Sequence, residues 1–245
     1  MRYKITIEYD GSGFSGWQRQ KHTNKSIQEV IENAIFNFSQ QHTTVYAGGR
    51  TDAGVHALEQ VAHFDLITHL DDYVIRNAIN YHLRPNAISI LSVEKVNNEF
   101  HARFCAKKRH YLYKITNRYA PIAIDYNRTW HIPTPLNINN MIQAASYIIG
   151  KNNLSSFRSK TCQSKSPIKT IDNITITKKN QYIYIYISAL SFLYKQVRII
   201  TGTLVQCGKE LFLPIHMLDI LKQKNRAAAG ETAPPYGLYL IKIDY

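Results

Sequence analysis

Gly48-Gly49-Arg50-Thr51-Asp52-Ala53-Gly54-Val55-His56 interrupts two strand-like stretches, residues 43–47 and 61–66. A carboxylate set among small residues, with a glycine on either side, is presented at the tip of a turn where backbone N–H groups lie close by. Upstream, residues 2–9 alternate apolar and polar in the manner of a half-buried strand. Residues 10–19 follow as a shaped loop, because Gly11, Gly13 and Gly16 break any regular pattern there. Ser26-Ile27-Gln28-Glu29 reads as a capping box, with Ser26 as cap and Glu29 reaching back. Ile27, Val30, Ile31, Ala34, Ile35 and Phe38 then recur at helical spacing. Downstream, residues 72–83 read as a helix and 88–96 as a strand.

The second half repeats this grammar loosely. Residues 109–116 alternate as a strand, and Ile138, Met141, Ile142, Ala145, Ile148 and Ile149 mark a helix that Gly150 can end in a left-handed cap. Residues 171–177 and 182–188 form a hairpin around 178–181; helices at 192–207 and 215–223 and a strand at 238–243 complete the chain. Strands mixed with helices, without strict β-α-β alternation, predict an α+β fold of two similar halves with antiparallel sheets flanked by helices. The halves are expected at 1–105, carrying the Asp52 loop, and at 106–245.

Composition narrows the function. Of 245 residues, 44% are hydrophobic and 19% charged, an ordinary globular balance. The charge is lopsided: 30 Lys and Arg against 17 Asp and Glu give +13. Such a surplus holds a polyanion nearby, although a Lys-rich, Asn-rich proteome would produce it too. Cations stand beside rings in Lys107-Lys108-Arg109-His110-Tyr111-Leu112-Tyr113, and the chain holds 17 tyrosines, a combination suited to stacking on unpaired bases. Cys105, Cys162 and Cys207 lie far apart in no metal or disulfide spacing. No apolar run reaches membrane-spanning length and no signal-peptide core opens the chain, so a cytoplasmic protein without membrane association is expected.

Arg50 is near enough in sequence to pair with Asp52, and a positioned carboxylate serves as a base or a nucleophile. From residue type alone, Asp52 reads first as a turn aspartate bonding its own loop. The wider pattern decides more. Gly49-Arg50-Thr51-Asp52-Ala53-Gly54-Val55-His56-Ala57, followed by Gln60-Val61-Ala62-His63-Phe64, resembles the active-site signature of the TruA family of tRNA pseudouridine synthases. Tyr9-Asp10-Gly11 with Gly16-Trp17-Gln18-Arg19-Gln20 resembles its N-terminal motif, and Phe100-His101-Ala102-Arg103-Phe104 with Lys108-Arg109-His110-Tyr111-Leu112-Tyr113 its central one. Phe192-Leu193, Gln196-Val197-Arg198 and Gly202-Thr203-Leu204 resemble the C-terminal helix; Ala233-Pro234-Pro235 and Gly237-Leu238-Tyr239-Leu240 resemble the closing strand. The segments run in family order along nearly the whole chain.

The resemblance implies a pseudouridine synthase fold and an isomerase that converts uridine to pseudouridine at positions 38, 39 and 40 of the tRNA anticodon stem-loop. It implies Asp52 as the nucleophile, with Arg50 paired to it. Tyr111 would lie against the target uracil, Arg198 would be a second basic pocket residue, and Leu238 would line the apolar wall of the pocket. By pattern alone, Tyr111 and Leu238 also read as core and Arg198 as a helix arginine lying over apolar surface. The reaction moves one glycosidic bond without change of composition, so no cofactor and no metal are expected, and the partners implied are tRNA and a second copy in a homodimer. Two departures stand out: Glu59 occupies a position where a small residue is usual, and Leu83-Arg84-Pro85 replaces Leu-Pro. His56, His63, His101 and His110 are scattered and read as RNA-facing or structural. A non-catalytic RNA module would require the Lys/Arg-Gly-Phe pattern, which is absent, and a metal-dependent hydrolase would require clustered carboxylates.

Overall fold

The computed structural model describes residues 1–20 and 25–245. They form an α+β protein of two compact units, Met1–Lys107 with Tyr239–Tyr245, and Lys108–Leu238. The expected split at 105/106 put everything beyond it in one half. The final residues, Tyr239–Tyr245, instead group with the first unit.

In the first unit, β1 (Arg2–Tyr9) lies between β3 (His56–Asp65) and β4 (Ile88–Val96), antiparallel to both. The parallel strand β10 (Leu238–Asp244) joins β3, with Tyr239 opposite His56 and Leu240 opposite Ala57. A two-residue β2 (Tyr46–Ala47) also pairs with β3, so the predicted strand at 43–47 shrinks to its end. Period-two alternation does what it should: Tyr3, Ile5, Ile7 and Tyr9 are buried on one face of β1. Helix α1 (Ile27–Ser39) begins at Ser26, whose Oγ accepts from the Glu29 N–H at 3.3 Å. The Glu29 carboxylate does not complete the box; it faces Arg19 at 3.9 Å. Helix α2 (Asp72–Leu83) packs against α1 and β4 through Ile75, Ile79 and Leu83.

In the second unit the sheet order is β5 (Lys108–Asn117), β9 (Tyr182–Ala189), β8 (Ile168–Lys179), β7 (Gly150–Asn153), and a short β6 (Trp130–Ile132) pairs parallel with β5. The predicted hairpin closes on only Asn180 and Gln181, with Asn180 at φ 54°, a left-handed turn position that asparagine tolerates. Helix α3 (Ile138–Ser146) stops before the predicted cap. Gly150 does take a positive φ, 92°, but there it starts β7. Helix α4 (Gln196–Gly208) starts four residues later than its apolar pattern, after Lys195 at φ 62°. The short helix α5 is His216–Gln223. No helix among the described residues is long and apolar enough to cross a membrane.

Candidate active site

The first unit builds a fixed turn around Asp52. Strand β3 runs back past residues 48–51, and its side chains and backbone hold them: the Gly48 N–H donates to the Val61 carbonyl at 2.7 Å. The Gln60 amide spans Gly49 as a peptide would, donating from Nε2 to the Gly49 carbonyl at 2.6 Å and accepting the Gly49 N–H at 3.3 Å. The Thr51 carbonyl accepts from the Trp17 N–H at 3.0 Å, and its hydroxyl shares a 2.8 Å hydrogen bond with the Tyr9 phenol. Between these anchors Arg50 is exposed and Asp52 half-buried. The turn closes when the Val55 N–H donates to the Asp52 carbonyl at 3.2 Å, with Gly54 at φ 78°.

The glycine-rich 10–19 segment is the wall of this turn. It is not wholly irregular, since Gly11–Gly13 make a single tight turn capped by the Asp10 carboxylate. Gly16 sits at φ 98°, and a Cβ there would lie 2.8 Å from the Thr51 carbonyl oxygen, 3.0 Å from Ala53 N and 3.1 Å from Asp52 C. Both constraints demand glycine, and together they press one loop's backbone onto the peptide that carries Asp52.

In the second unit, Tyr111 and Tyr113 stand two apart on β5 and share a buried face. The Tyr111 ring meets Phe192 edge-on, centroids 5.2 Å apart at 88°. The Tyr113 phenol donates to the Pro234 carbonyl at 2.7 Å, and burial pushes its pKa well above the usual phenol value, with the nearby Arg198 charge opposing. Arg198, half-buried in the first turn of α4, donates from Nε to the Ala233 carbonyl at 2.7 Å. The Ala233 N–H returns a bond to the Arg198 carbonyl at 3.1 Å. Arg198 is therefore locked to the 233–234 segment and is not lying loosely over apolar surface. Leu238 is buried at the start of β10. Tyr113, Tyr9, Thr51 and Gln60 carry no predicted role, yet Tyr113 bonds the segment beside Ala233, and Tyr9, Thr51 and Gln60 fix the backbone next to Asp52. The tyrosine two positions from Tyr111 was the available signal.

The histidines separate cleanly. The His56 ring is buried, stacks on Tyr239 with centroids 4.7 Å apart, and accepts the Gly11 N–H at 3.1 Å. The His63 ring is buried and accepts the Ala102 N–H at 3.2 Å; burial first, then His101 and Arg2, lower its pKa to about 4. It is neutral near pH 7 and contributes no charge for RNA. Both are structural. Among the described residues no group of three or more His, Cys, Asp or Glu could hold a metal ion.

A half-buried carboxylate on a backbone-clamped turn, in a chain of charge +13 rich in tyrosine, is an arrangement suited to nucleophilic or acid–base chemistry on a polyanion. The sequence pattern of the family described as tRNA pseudouridine synthase matches residues 5–105 and 144–245. Three proteins named tRNA pseudouridine synthase A align with all of this chain over all of their own length. They are 70% identical in Ehrlichia chaffeensis, 60% in Wolbachia pipientis wMel and 58% in Anaplasma marginale. The chain belongs to the tRNA pseudouridine synthase family and is an isomerase.

Proposed function

We propose that this protein isomerises uridine to pseudouridine at positions 38, 39 and 40 of the tRNA anticodon stem-loop, with Asp52 as nucleophile. The observation that carries the reading is the turn at 49–55: its backbone is fixed on both sides of Asp52, while the carboxylate is only half-buried. A nucleophile has to be held still and remain reachable, and this turn meets both needs. Arg50 acts beside it, as an exposed cation two residues away in the same turn. Tyr111 supplies a flat face for the uracil, Arg198 a fixed positive charge, and Leu238 part of a dry wall, which the detached ring needs while it turns. The target base must leave its stack, at a cost of a few kcal/mol that is smallest near a loop. Tritium release from tRNA transcripts labelled at uracil C5, with uridines 38, 39 and 40 replaced one at a time and all together, tests site and reaction together. Release that survives loss of all three would refute the anticodon-arm assignment. The enzyme works in the cytoplasm as a homodimer; a monomeric mass in sedimentation at assay concentration would refute the dimer.

Changing Tyr111 to Phe keeps the ring and its contact with Phe192 and removes only the hydroxyl. Turnover is expected to fall about a hundredfold if that hydroxyl moves a proton, with tRNA affinity and thermal stability retained. Near-normal turnover would leave the ring alone as the working part.

The charge makes a separate prediction. Log affinity for tRNA falls linearly with log salt, with a slope set by the number of phosphates neutralised. Lys107 is exposed, whereas Lys108 is held by Asp172 at 3.2 Å. Lys107→Ala should therefore flatten the slope by about 0.7–0.9, the amount due to one phosphate contact, and Lys108→Ala by less. Neither should change the single-turnover rate at saturation. Arg50→Ala should do the reverse, slowing turnover more than it weakens binding; a pure binding defect would move Arg50 out of the reaction.

A further inference from the structure

The turn that carries Asp52 is not self-supporting, and the groups that hold it form one buried chain. Gln60 is 0% exposed, Tyr9 2% and Thr51 7%. Gln60 Nε2 donates to the Gly49 carbonyl at 2.6 Å and lies 3.4 Å from the Tyr9 phenol oxygen. An amide nitrogen only donates, so the phenol oxygen accepts there, and its own proton is available for Thr51 Oγ1 at 2.8 Å. Burial pushes the Tyr9 pKa up to about 12, against the smaller opposing effects of Thr51 and Gln60, so the phenol keeps that proton at any working pH. The two ends of the chain meet the turn at Gly49 and Thr51, the residues on either side of Arg50. Thr51 is also the residue whose peptide leads into Asp52.

We propose that Tyr9 and Gln60 are positioning residues for the reaction, fixing the Asp52 backbone through Thr51 and Gly49. This rests on the reading of Asp52 as the nucleophile. The chain fits that task better than a purely stabilising one because of where it attaches. Backbone pairing with β3 and β4 already holds β1 in its sheet, and Tyr3, Ile5 and Ile7 bury its apolar face. The polar ends of Tyr9 and Gln60 go instead to two residues without regular structure. A fixed backbone matters because a displacement of about 1 Å of a reacting group can cost a hundredfold in rate.

The test is a set of variants read by single-turnover kinetics at saturating tRNA, where the rate constant does not depend on the fraction of enzyme that is folded. Tyr9→Phe removes one hydroxyl from the chain; Thr51→Val removes the other at nearly constant volume. Each should slow the rate constant by about tenfold while the tRNA dissociation constant stays the same. The double variant should be no slower than the worse single one, because both break the same link. Thr51→Ser, which restores an oxygen for Tyr9, should recover most of the loss, and Gln60→Leu should slow the same step. Unchanged rate constants with lowered melting temperatures would overturn the proposal and make the chain structural only, as would independent, multiplying losses in the double variant. Asp52→Asn is measured alongside. If it turns over near normally, the nucleophile reading fails; if it is inactive while the chain variants react normally, only the positioning inference fails.

Discussion

With Asp52 replaced by Asn, formation of pseudouridine should stop while the protein folds and binds tRNA as before. The substitution keeps the shape of the side chain and removes its charge and its nucleophilic oxygen. The hydrogen bonds that run through Gly49, Thr51 and Val55 use backbone groups and the side chains of Gln60, Tyr9 and Thr51, all of which the variant keeps. Stability should therefore change little. The rate should fall roughly a thousandfold or more, since removal of an attacking group leaves only binding and electrostatic help. Tritium release in single turnover, with affinity by filter binding, separates the two effects. Turnover within about tenfold of wild type, equivalent to 1.4 kcal/mol in the barrier, would take the nucleophile's role away from Asp52.

The second large effect is expected at Gly202, far in sequence from the Asp52 turn. Arg198 and Gly202 are one helical turn apart on α4 and face the same 231–233 segment. A Cβ on Gly202 would run into the Glu231 carbonyl oxygen, and it would lie 2.9 Å from the Glu231 carbonyl carbon. Backbone cannot rotate aside as a side chain can. The contact is tight from the other direction too: a Cβ on Gly230 would lie 2.8 Å from Thr203 Cα, and the Gly230 N–H donates to Thr203 Oγ1 at 3.0 Å. Alanine gains up to about 1 kcal/mol over glycine inside a helix. Overpacking against backbone costs about 3 kcal/mol or more, so the clash wins. Gly202→Ala should lose roughly 2 kcal/mol, or about 4–8 °C in Tm, and should slow turnover by pulling Ala233 away from the Arg198 guanidinium. A variant as stable as wild type would mean that the 231–233 segment yields freely, and that Arg198 is not held by it.

Alternation in 2–9, the Ser26 cap and the helix at 72–83 were legible because each depends on neighbours within a few residues. Where local signals misled, the reason was tertiary. The apolar run from Phe192 reads as helix, yet helix begins only at Gln196, because Phe192 is needed against Tyr111 and Leu193 is tied by its N–H to Gln196 Oε1 at 2.7 Å. The strand β3 begins at His56, inside the motif itself, and not at Val61. The register with β1 and β10 recruits those residues, and their own alternation is too weak to announce it. Glu59, the departure that adds charge, is exposed on that strand and disturbs nothing in the core.

By itself the sequence determined the α+β class, the order of the segments, and, through the resemblance of those segments, the family; it also marked Asp52 as the residue to watch. These are properties of local pattern and of motif spacing, and a linear chain displays both. Only the tertiary structure decided which residues hold the backbone around Asp52, that Arg198 is bound to Ala233, and that the last strand completes the first sheet. Each of those contacts joins residues distant in the chain or depends on how distant segments meet. Whether they form is set by the packing of whole elements, which no local pattern encodes.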